Sequence, residues 1–206
     1  MKIRIASTKA IKYACLKFHY ARAVPLAQYA FNIFNKQNEW CGVIIYGFGA
    51  NKHIARPFNL YQGEVIELVR VALNGKQETT SRAIALTLRE LKKIAPQVKI
   101  IVSYADLDQN HAGIIYQATN WIYLGKHNEH TTSAFIVRGK KVHPKSLYSK
   151  GYKQSIEWIQ KHIDKNARKF VTKGKHKYIF CLCKKQRKKW EKHKKEYPKK
   201  EDCNGK

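Results

Sequence analysis

The sequence predicts an α/β fold, a mixed central sheet with helices on both faces. Three observations predict it. Apolar periodicity switches along the chain in the order strand, helices, hairpin, strand, helix, strand, helix, strand. Val98 to Val102 is an apolar run interrupted only by Lys99, of the kind found in a central strand buried on both faces. Helical spacing comes with recognisable start and stop residues in at least two segments.

Lys2 to Ile5 alternates and reads as a first strand. Ser7 or Thr8 caps a helix reaching about His19, with Ile11, Ala14, Cys15 and Phe18 at helical spacing. An irregular stretch around Ala23 to Pro25 follows. Tyr29 to Phe34 and Trp40 to Phe48 read as a hairpin joined by the polar turn Asn35 to Glu39. Gly47, Gly49 and Asn51 end it. Val65 to Leu73 is a third long strand, broken by Asn74-Gly75. Thr80 or Ser81 caps a helix to about Ile94, with Ile84, Leu88 and Leu91 on one face and Pro96 beyond its end.

After Val98 to Val102 come a short helix from His111 and an aromatic strand from Trp121. Ser133 to Val137 is a further strand. Gly151 to Ile163 places Ile156, Ile159 and Ile163 at helical spacing, and Lys177 to Leu182 alternates as a last strand. These elements give one domain over residues 1–183. Residues 184–206 form a Lys-rich tail, read as a disordered arm or a short basic helix carrying Trp190 and Tyr197. No internal repeat is evident.

The chain has 206 residues, enough for one well-buried core. Its 41 Lys and Arg against 14 Asp and Glu give a net charge of +27. Internal pairing cannot neutralise that excess, so a polyanionic partner is expected. Residues 139–206 hold 23 of the basic and 6 of the acidic residues, so the last third carries most of it. A membrane surface is the rival polyanion. With no signal peptide, no lipidation motif and no run of about 18 apolar residues, nucleic acid is favoured and a bacterial cytoplasmic location expected. The five cysteines, at 15, 41, 181, 183 and 203, contain no C-x-x-C pair. They read as reduced structural thiols, and no zinc site is indicated.

The chemistry concentrates between Ser103 and Gly125. An apolar strand runs into Ser103, Tyr104, Asp106, Asp108 and His111, and a short helix then carries Tyr116 and Asn120. Polar groups at a strand's C-terminal end, with a helix just after, commonly build a site. Asp108 or Asn110 also fits a plain cap. A cap does not need a tyrosine, a histidine and a second carboxylate as well. On Val65 to Leu73, Glu67 and Arg70 stand three apart, so a regular strand puts them on opposite faces. Arg70 is the choice for the crevice, because its planar, permanently charged fork suits phosphate or carboxylate. Ser81 and Arg82, with Thr79 and Thr80, flank a helix N-terminus that can hold an anion or be simply capped.

Several stretches together resemble the Mom-like phage DNA-modification proteins of the GNAT (acyl-CoA N-acyltransferase-like) superfamily. They are Phe18-His19-Tyr20 with Pro25, the strand Gly42 to Ala50, Glu67-Leu-Val-Arg70, Ser81-Arg82, the Ser103 to Gly125 stretch, His143-Pro144, and Lys150-Gly-Tyr152. The resemblance covers roughly residues 17 to 182. It implies a mostly antiparallel GNAT-like sheet whose central parallel strands splay at the site. It also implies conversion of adenine N6 in double-stranded DNA to a carbamoylmethyl-type adduct, which protects DNA from host restriction. His19, Tyr20, Asp106 and Tyr116 match positions implicated in that activity. Ser103, Tyr104, His111 and Asn120 join Arg70, Ser81 and Arg82 as candidates for holding substrate or donor.

A chemical reason accompanies this assignment. The adenine N6 amine is a poor nucleophile, because its lone pair is delocalised into the ring. A carboxylate accepting from N6–H, such as Asp106, raises its electron density. Tyr104 or Tyr116 can stack on or bond to the base, and His19 can shuttle protons. A duplex base must leave the stack first. Tyr20, Tyr104, Tyr116 and Trp121 are available to receive it. Lys184, Lys185, Arg187, Lys188 and Lys189 are expected to hold phosphates.

The donor is not legible. Acetyl-CoA-using GNAT members carry Q-x-x-G-x-G/A before the helix, whereas this chain has Asn74-Gly-Lys-Gln-Glu-Thr-Thr-Ser-Arg82. An activated glycine such as glycyl-tRNA is one donor, which makes tRNA a partner; acetyl-CoA is the other. Iron is left open by the resemblance, with His19, Asp106 and His111 as ligands, but no spacing demands a metal. Two other functions stay open: an N-acyltransferase acting on a protein or tRNA amine, and a non-catalytic basic DNA-binding protein. Monomer and homodimer are equally compatible with the sequence.

Overall fold

The computed structural model describes residues 1–49 and 51–199. In chain order the elements are β1 (Lys2–Ile5), α1 (Thr8–Phe18), β2 (Tyr29–Phe34), β3 (Trp40–Gly47), β4 (Val65–Leu73), α2 (Thr80–Ile94), β5 (Ile100–Asp106), α3 (Ile114–Gln117) and β6 (Ile122–His127). Then follow β7 (Thr132–Val137), β8 (Lys140–Val142), α4 (Pro144–Tyr148), α5 (Ile156–His162), β9 (Arg168–Val171), β10 (Lys175–Cys181) and α6 (Lys184–Glu191). Short 3-10 turns lie at Arg56–Phe58 and Leu107–Gln109.

The chain divides into two compact units. The first comprises Met1–Tyr104, Gly113–Gly125 and Lys177–Pro198. It is built on a seven-stranded mixed sheet in the order β1-β2-β3-β4-β5-β10-β6. β1, β2, β3 and β4 pair antiparallel, and β4 pairs parallel with β5. β10 enters between β5 and β6, far from either in sequence. α1 covers one face through Ile11, Ala14 and Cys15 against Val43, Ile45 and Ala72. α2 packs on the other through buried Thr87, whose hydroxyl donates to the Ile84 carbonyl and lies 2.7 Å from the Tyr46 hydroxyl. Tyr46 is therefore the donor in that pair, since a hydroxyl carries one hydrogen.

Ser7 caps α1 by accepting from Ala10 N–H. α2 is capped by Thr79, one or two residues earlier than expected, because its hydroxyl accepts from Arg82 N–H. Ser81 is thus inside the first turn and is not the cap. α3 is a single turn preceded by Gly113 at φ +76°. A Cβ at Gly113 would run into the Tyr178 ring, so that position takes glycine for space as well as for backbone sign.

The segment from Lys184 takes the helical form of the two expected. Trp190 of α6 packs on Phe58, with ring centroids 4.9 Å apart, and so joins the core cluster around Val65, Ile100, Ile122 and Ile179. Beyond α6 the chain runs beside β6, with Lys195 N–H donating to the Tyr123 carbonyl and Tyr197 hydroxyl to that of Trp121. Residues 200–206, the end of the expected tail, lie outside the described residues.

The second unit comprises, among the described residues, Ala105–Ala112, Lys126–His176 and Lys199. Its three-stranded antiparallel sheet has the order β8-β7-β9. Phe135, Val137, Leu147, Ile159 and Ala167 form a core of their own.

Candidate active site

The β4–β5 ladder is registered only from Val65–Ile100 to Glu67–Val102. β4 then continues to Leu73 and β5 to Asp106 without paired residues, so the two central parallel strands splay. Backbone groups in the gap need other partners. Ser103, buried at 1% exposure, supplies one, because its hydroxyl donates to the Leu68 carbonyl at 3.1 Å. The same oxygen lies 2.8 Å from the hydroxyl of buried Tyr116. With its single hydrogen on Leu68, Ser103 accepts there and Tyr116 donates. Two sequence candidates thus form one buried relay at the splay.

β4 carries a second irregularity. Ile45 pairs with Arg70 but Tyr46 pairs with Leu68, so Val69 is an extra residue in the ladder. The bulge resets the alternation. Glu67, opposite Gly47, and Arg70, opposite Ile45, therefore share the face that α1 covers, and the opposite-face expectation is corrected. Arg70 donates to the Val69 carbonyl at 2.7 Å, its Nε is buried without a hydrogen-bond partner, and its charge acts on Cys15. Glu67, not among the sequence candidates, lies against Gly49, where a Cβ would overlap its carboxylate. Its charge also reaches Tyr104 and Tyr116. The signal for it was present in Glu67-Leu-Val-Arg70, but a regular strand concealed its side.

The electrostatics follow from burial. Tyr116 is pushed up to about 12, first by burial, with Tyr20 and Glu67 raising it further against the lowering hydrogen bond of Ser103. Tyr104 is likewise pushed up to about 12, by burial and then by Glu67. Both hydroxyls stay protonated near neutral pH and can donate but not act as bases. His19 is the C-cap residue of α1; its Nδ1 accepts from Ala21 N–H at 3.1 Å, which leaves the neutral ring's hydrogen on Nε2. Its ring stacks on Tyr20 at 4.4 Å, and Tyr20 is 54% exposed. In the first unit, then, Tyr20, Glu67, Ser103, Tyr104 and Tyr116 interact, and His19 joins through Tyr20.

A groove of about 660 Å³ runs along α2. Ala85, Leu88, Ala118, Phe180 and Leu182 make it apolar, and Ser81, Arg82, Arg89, Lys92 and Asn120 make it polar and basic. Ser81, Arg82 and Asn120 line one groove, together with Arg89 and Lys92, which were not among the sequence candidates. They follow Arg82 by seven and ten residues, along one helix face, which is a readable signal. Asn120 turns the chain at φ +59°, with its carbonyl and amide oxygens held by Arg187. Arg187 also pairs with Glu191. Arg187 thus braces this turn. Lys184, Lys185, Lys188 and Lys189 are exposed on α6.

In the second unit, Asp106 ends β5 and its carboxylate accepts from Asp108 N–H, capping the 3-10 turn. His111 is exposed and its backbone N–H donates to the Asp106 carbonyl. Asp108 is a structural anchor. It accepts from Thr172 hydroxyl and Lys173 N–H, both at 2.9 Å, and faces Lys141 at 3.4 Å. Burial pushes its carboxyl up, but the Lys173 N–H, the Thr172 hydroxyl and the Lys141 ammonium hold it below the usual range. Among the described residues no three His, Cys, Asp or Glu side chains are placed to hold a metal ion. No described helix is long and apolar enough to cross a membrane.

Comparison with known proteins places this geometry. Among solved structures, the chain is similar to a spermidine N-acetyltransferase chimera from Vibrio cholerae, with 10% identity, TM-score 0.49, and coverage of 88% of this chain and 97% of that one. It is also similar to a Bacillus subtilis acetyltransferase in complex with CoA, with 10% identity, TM-score 0.46, and coverage of 88% and 99%. Among characterised sequences, it is 28% identical over 113 residues to methylcarbamoylase mom of Escherichia phage Mu, covering 53% of this chain and 47% of that protein. The aligned part thus spans about half of that relative. A family model, that of the Mom protein family, matches residues 1–199. That match takes in the His19-Tyr20 turn, the splay at Ser103 and Tyr116, and both compact units, and with it the chain belongs to the Mom protein family.

Proposed function

We propose that this protein is a DNA-modification enzyme that attaches a carbamoylmethyl-type group to N6 of adenine in double-stranded DNA. One observation carries the reading within a Mom family chain. A carboxylate, three tyrosines and a buried serine gather where the central strands splay. The net charge of +27 supports a DNA substrate.

In this reading, Tyr20 and Tyr104 receive the unstacked adenine. Glu67 accepts from N6–H and raises the electron density of the amine. Asp106, the other carboxylate considered for that task, is engaged as a cap. Tyr116 donates within the Ser103 relay and fixes the wall of the pocket. His19, with Nε2 carrying its hydrogen, passes protons. The donor lies in the groove along α2, where Arg82, Arg89 and Lys92 suit phosphate charges.

The donor that best fits a chain without the glycine-rich CoA loop is an activated glycine ester such as glycyl-tRNA; acetyl-CoA, which carries no nitrogen to become the amide, would serve only the acyltransferase alternative. N6 attacks the ester carbonyl, the ester C–O bond breaks, and the proton lost by N6 goes to the leaving hydroxyl. The free glycyl amine then attacks C6 and the C6–N6 bond breaks. The old N6 becomes the terminal amide, with no net change in atoms.

Mass spectrometry of nucleosides digested from DNA of bacteria producing the protein tests this. A new deoxyadenosine heavier by one glycinamide substituent is expected. Unmodified DNA from cells with abundant folded protein would contradict it and favour an acyltransferase with another amine substrate.

A further inference from the structure

The second unit has features that the adenine site does not use. Between Lys140 and Lys175 it holds 11 Lys and Arg but only two acidic residues, Glu157 and Asp164. Inside this stretch, the loop joining α4 to α5 lines a concavity of about 330 Å³ with Tyr148, Gly151, Tyr152, Lys153 and Gln154. Small-molecule sites begin near that size, at about 300 Å³.

The loop is built to present rings. Leu147 is buried in the unit's core, and the next residue, Tyr148, is 73% exposed. Lys150, Gly151 and Tyr152 close back on α4 through N–H bonds to the Leu147 and Tyr148 carbonyls. Gly151 takes φ +75° in that closure. Tyr152 is 41% exposed and rests on Trp158 at 5.4 Å, and Trp158 stacks on His162 at 4.5 Å. One ring face is thereby fixed by an aromatic array that reaches into the core, and Tyr148 stands out beside it. Lys150, Lys153 and Lys161 are exposed around the loop. Two open tyrosines among solvent-facing cations contribute little to folding. They match what single-stranded nucleic acid presents, a flat base with flanking phosphates.

We infer that the Tyr148–Gln154 loop is a stacking platform for an unstacked base of single-stranded DNA, with Lys150 and Lys153 holding the adjoining phosphates. A duplex hides its base faces, so only a locally opened strand satisfies both tyrosines. Extracting an adenine for modification opens such a strand. The inference rests on the proposed DNA reading for its source of single strand.

Fluorescence anisotropy of the full chain with labelled oligonucleotides tests it. Three strands of equal length are compared: oligo-dT, a fully abasic deoxyribose-phosphate strand, and oligo-rU. The wild type is expected to favour oligo-dT over the abasic strand by at least about fivefold per engaged tyrosine. Tyr148→Ala with Tyr152→Ala should remove that preference, whereas Tyr148→Phe with Tyr152→Phe should keep it. Lys150→Ala should lower the salt slope by about 0.7. Thermal melts and near-ultraviolet dichroism of Trp158 check that the alanine pair is folded. A folded alanine pair with unchanged preference would overturn the inference, and so would equal wild-type binding to the dT and abasic strands. Tighter binding of rU than dT would overturn its assignment to DNA. Modified deoxyadenosine in the same cells, together with an unchanged preference, means that the platform alone is wrong. A platform that behaves as expected without any modified nucleoside means that the DNA-modification reading is wrong.

Discussion

Ser103 and Tyr116 share a buried hydrogen bond of 2.8 Å at the point where β4 and β5 part. The bond does two things at once. It ties α3 to the sheet and, through Ser103, satisfies a Leu68 carbonyl that the broken ladder leaves behind. The wall of the candidate site is therefore also part of the core.

Two substitutions separate these roles. Tyr116→Phe leaves Ser103 donating to Leu68 and should cost about 1 kcal/mol. Ser103→Ala leaves a buried carbonyl and a buried hydroxyl unpaired and should cost about 1–3 kcal/mol. Urea midpoints of the two variants and of the double variant check the order. The double should be no less stable than Ser103→Ala alone, since it removes one of the orphaned groups.

The tyrosines set a high-pH limit. Burial pushes Tyr104 and Tyr116 up to about 12 in the folded protein, above the ordinary tyrosine value near 10. The unfolded chain loses those protons first, so their contribution is complete below about pH 10 and is lost as pH rises towards 12. Unfolding at stepped pH should show stability falling in that window. Tyrosinate absorbance should show one fewer late-titrating group in folded Tyr116→Phe.

Asp108 sets the opposite limit. Its folded value is lowered below 3.8, so its stabilisation is present above about pH 4 and is lost as pH falls through the lower folded value. Asp108→Ala removes partners of Thr172, Lys173 and Lys141, and should cost about 1–3 kcal/mol. Its stability should then change less with pH below 4 than that of the wild type. Acid titration followed by Trp158 fluorescence measures this in the second unit.

The groove gives an activity prediction. If Arg82 and Arg89 hold the donor's phosphates, replacing either with alanine should lower DNA modification by about tenfold or more while leaving the melting temperature nearly unchanged. Arg187→Ala should act differently. It frees the Asn120 turn and should lower stability first.

Much of the fold was legible because its periods are strong. β1, α1, the β2–β3 hairpin, β4 and α2 each carry an alternating or helical pattern with a cap or a turn residue, and their bounds fall within a residue or two of those expected. Three things were not legible. The bulge at Val69 changes which face Glu67 occupies, and no local pattern marks an extra strand residue. The insertion of β10 between β5 and β6 is a tertiary pairing. The second unit collects its core from Phe135 to Ala167 across short, weakly patterned elements, including β8, α4 and β9, that composition does not announce. At the site, Ser103, Tyr104 and Tyr116 were visible as polar groups closing an apolar strand. That Asp106 also caps the turn after β5 is not legible, because a carboxylate closing a strand looks the same in sequence whether or not it caps.

In the proposed reaction the carboxylate beside the splayed strands, Glu67, activates adenine. Quantifying the modified deoxyadenosine in DNA from cells producing wild type, Glu67→Gln or Asp106→Asn tests it most directly. Glutamine keeps the size of Glu67 and asparagine can still cap as Asp106 does. Modification should fall by about 100-fold or more in Glu67→Gln and by much less in Asp106→Asn. Wild-type levels of the adduct in a folded Glu67→Gln protein would contradict it.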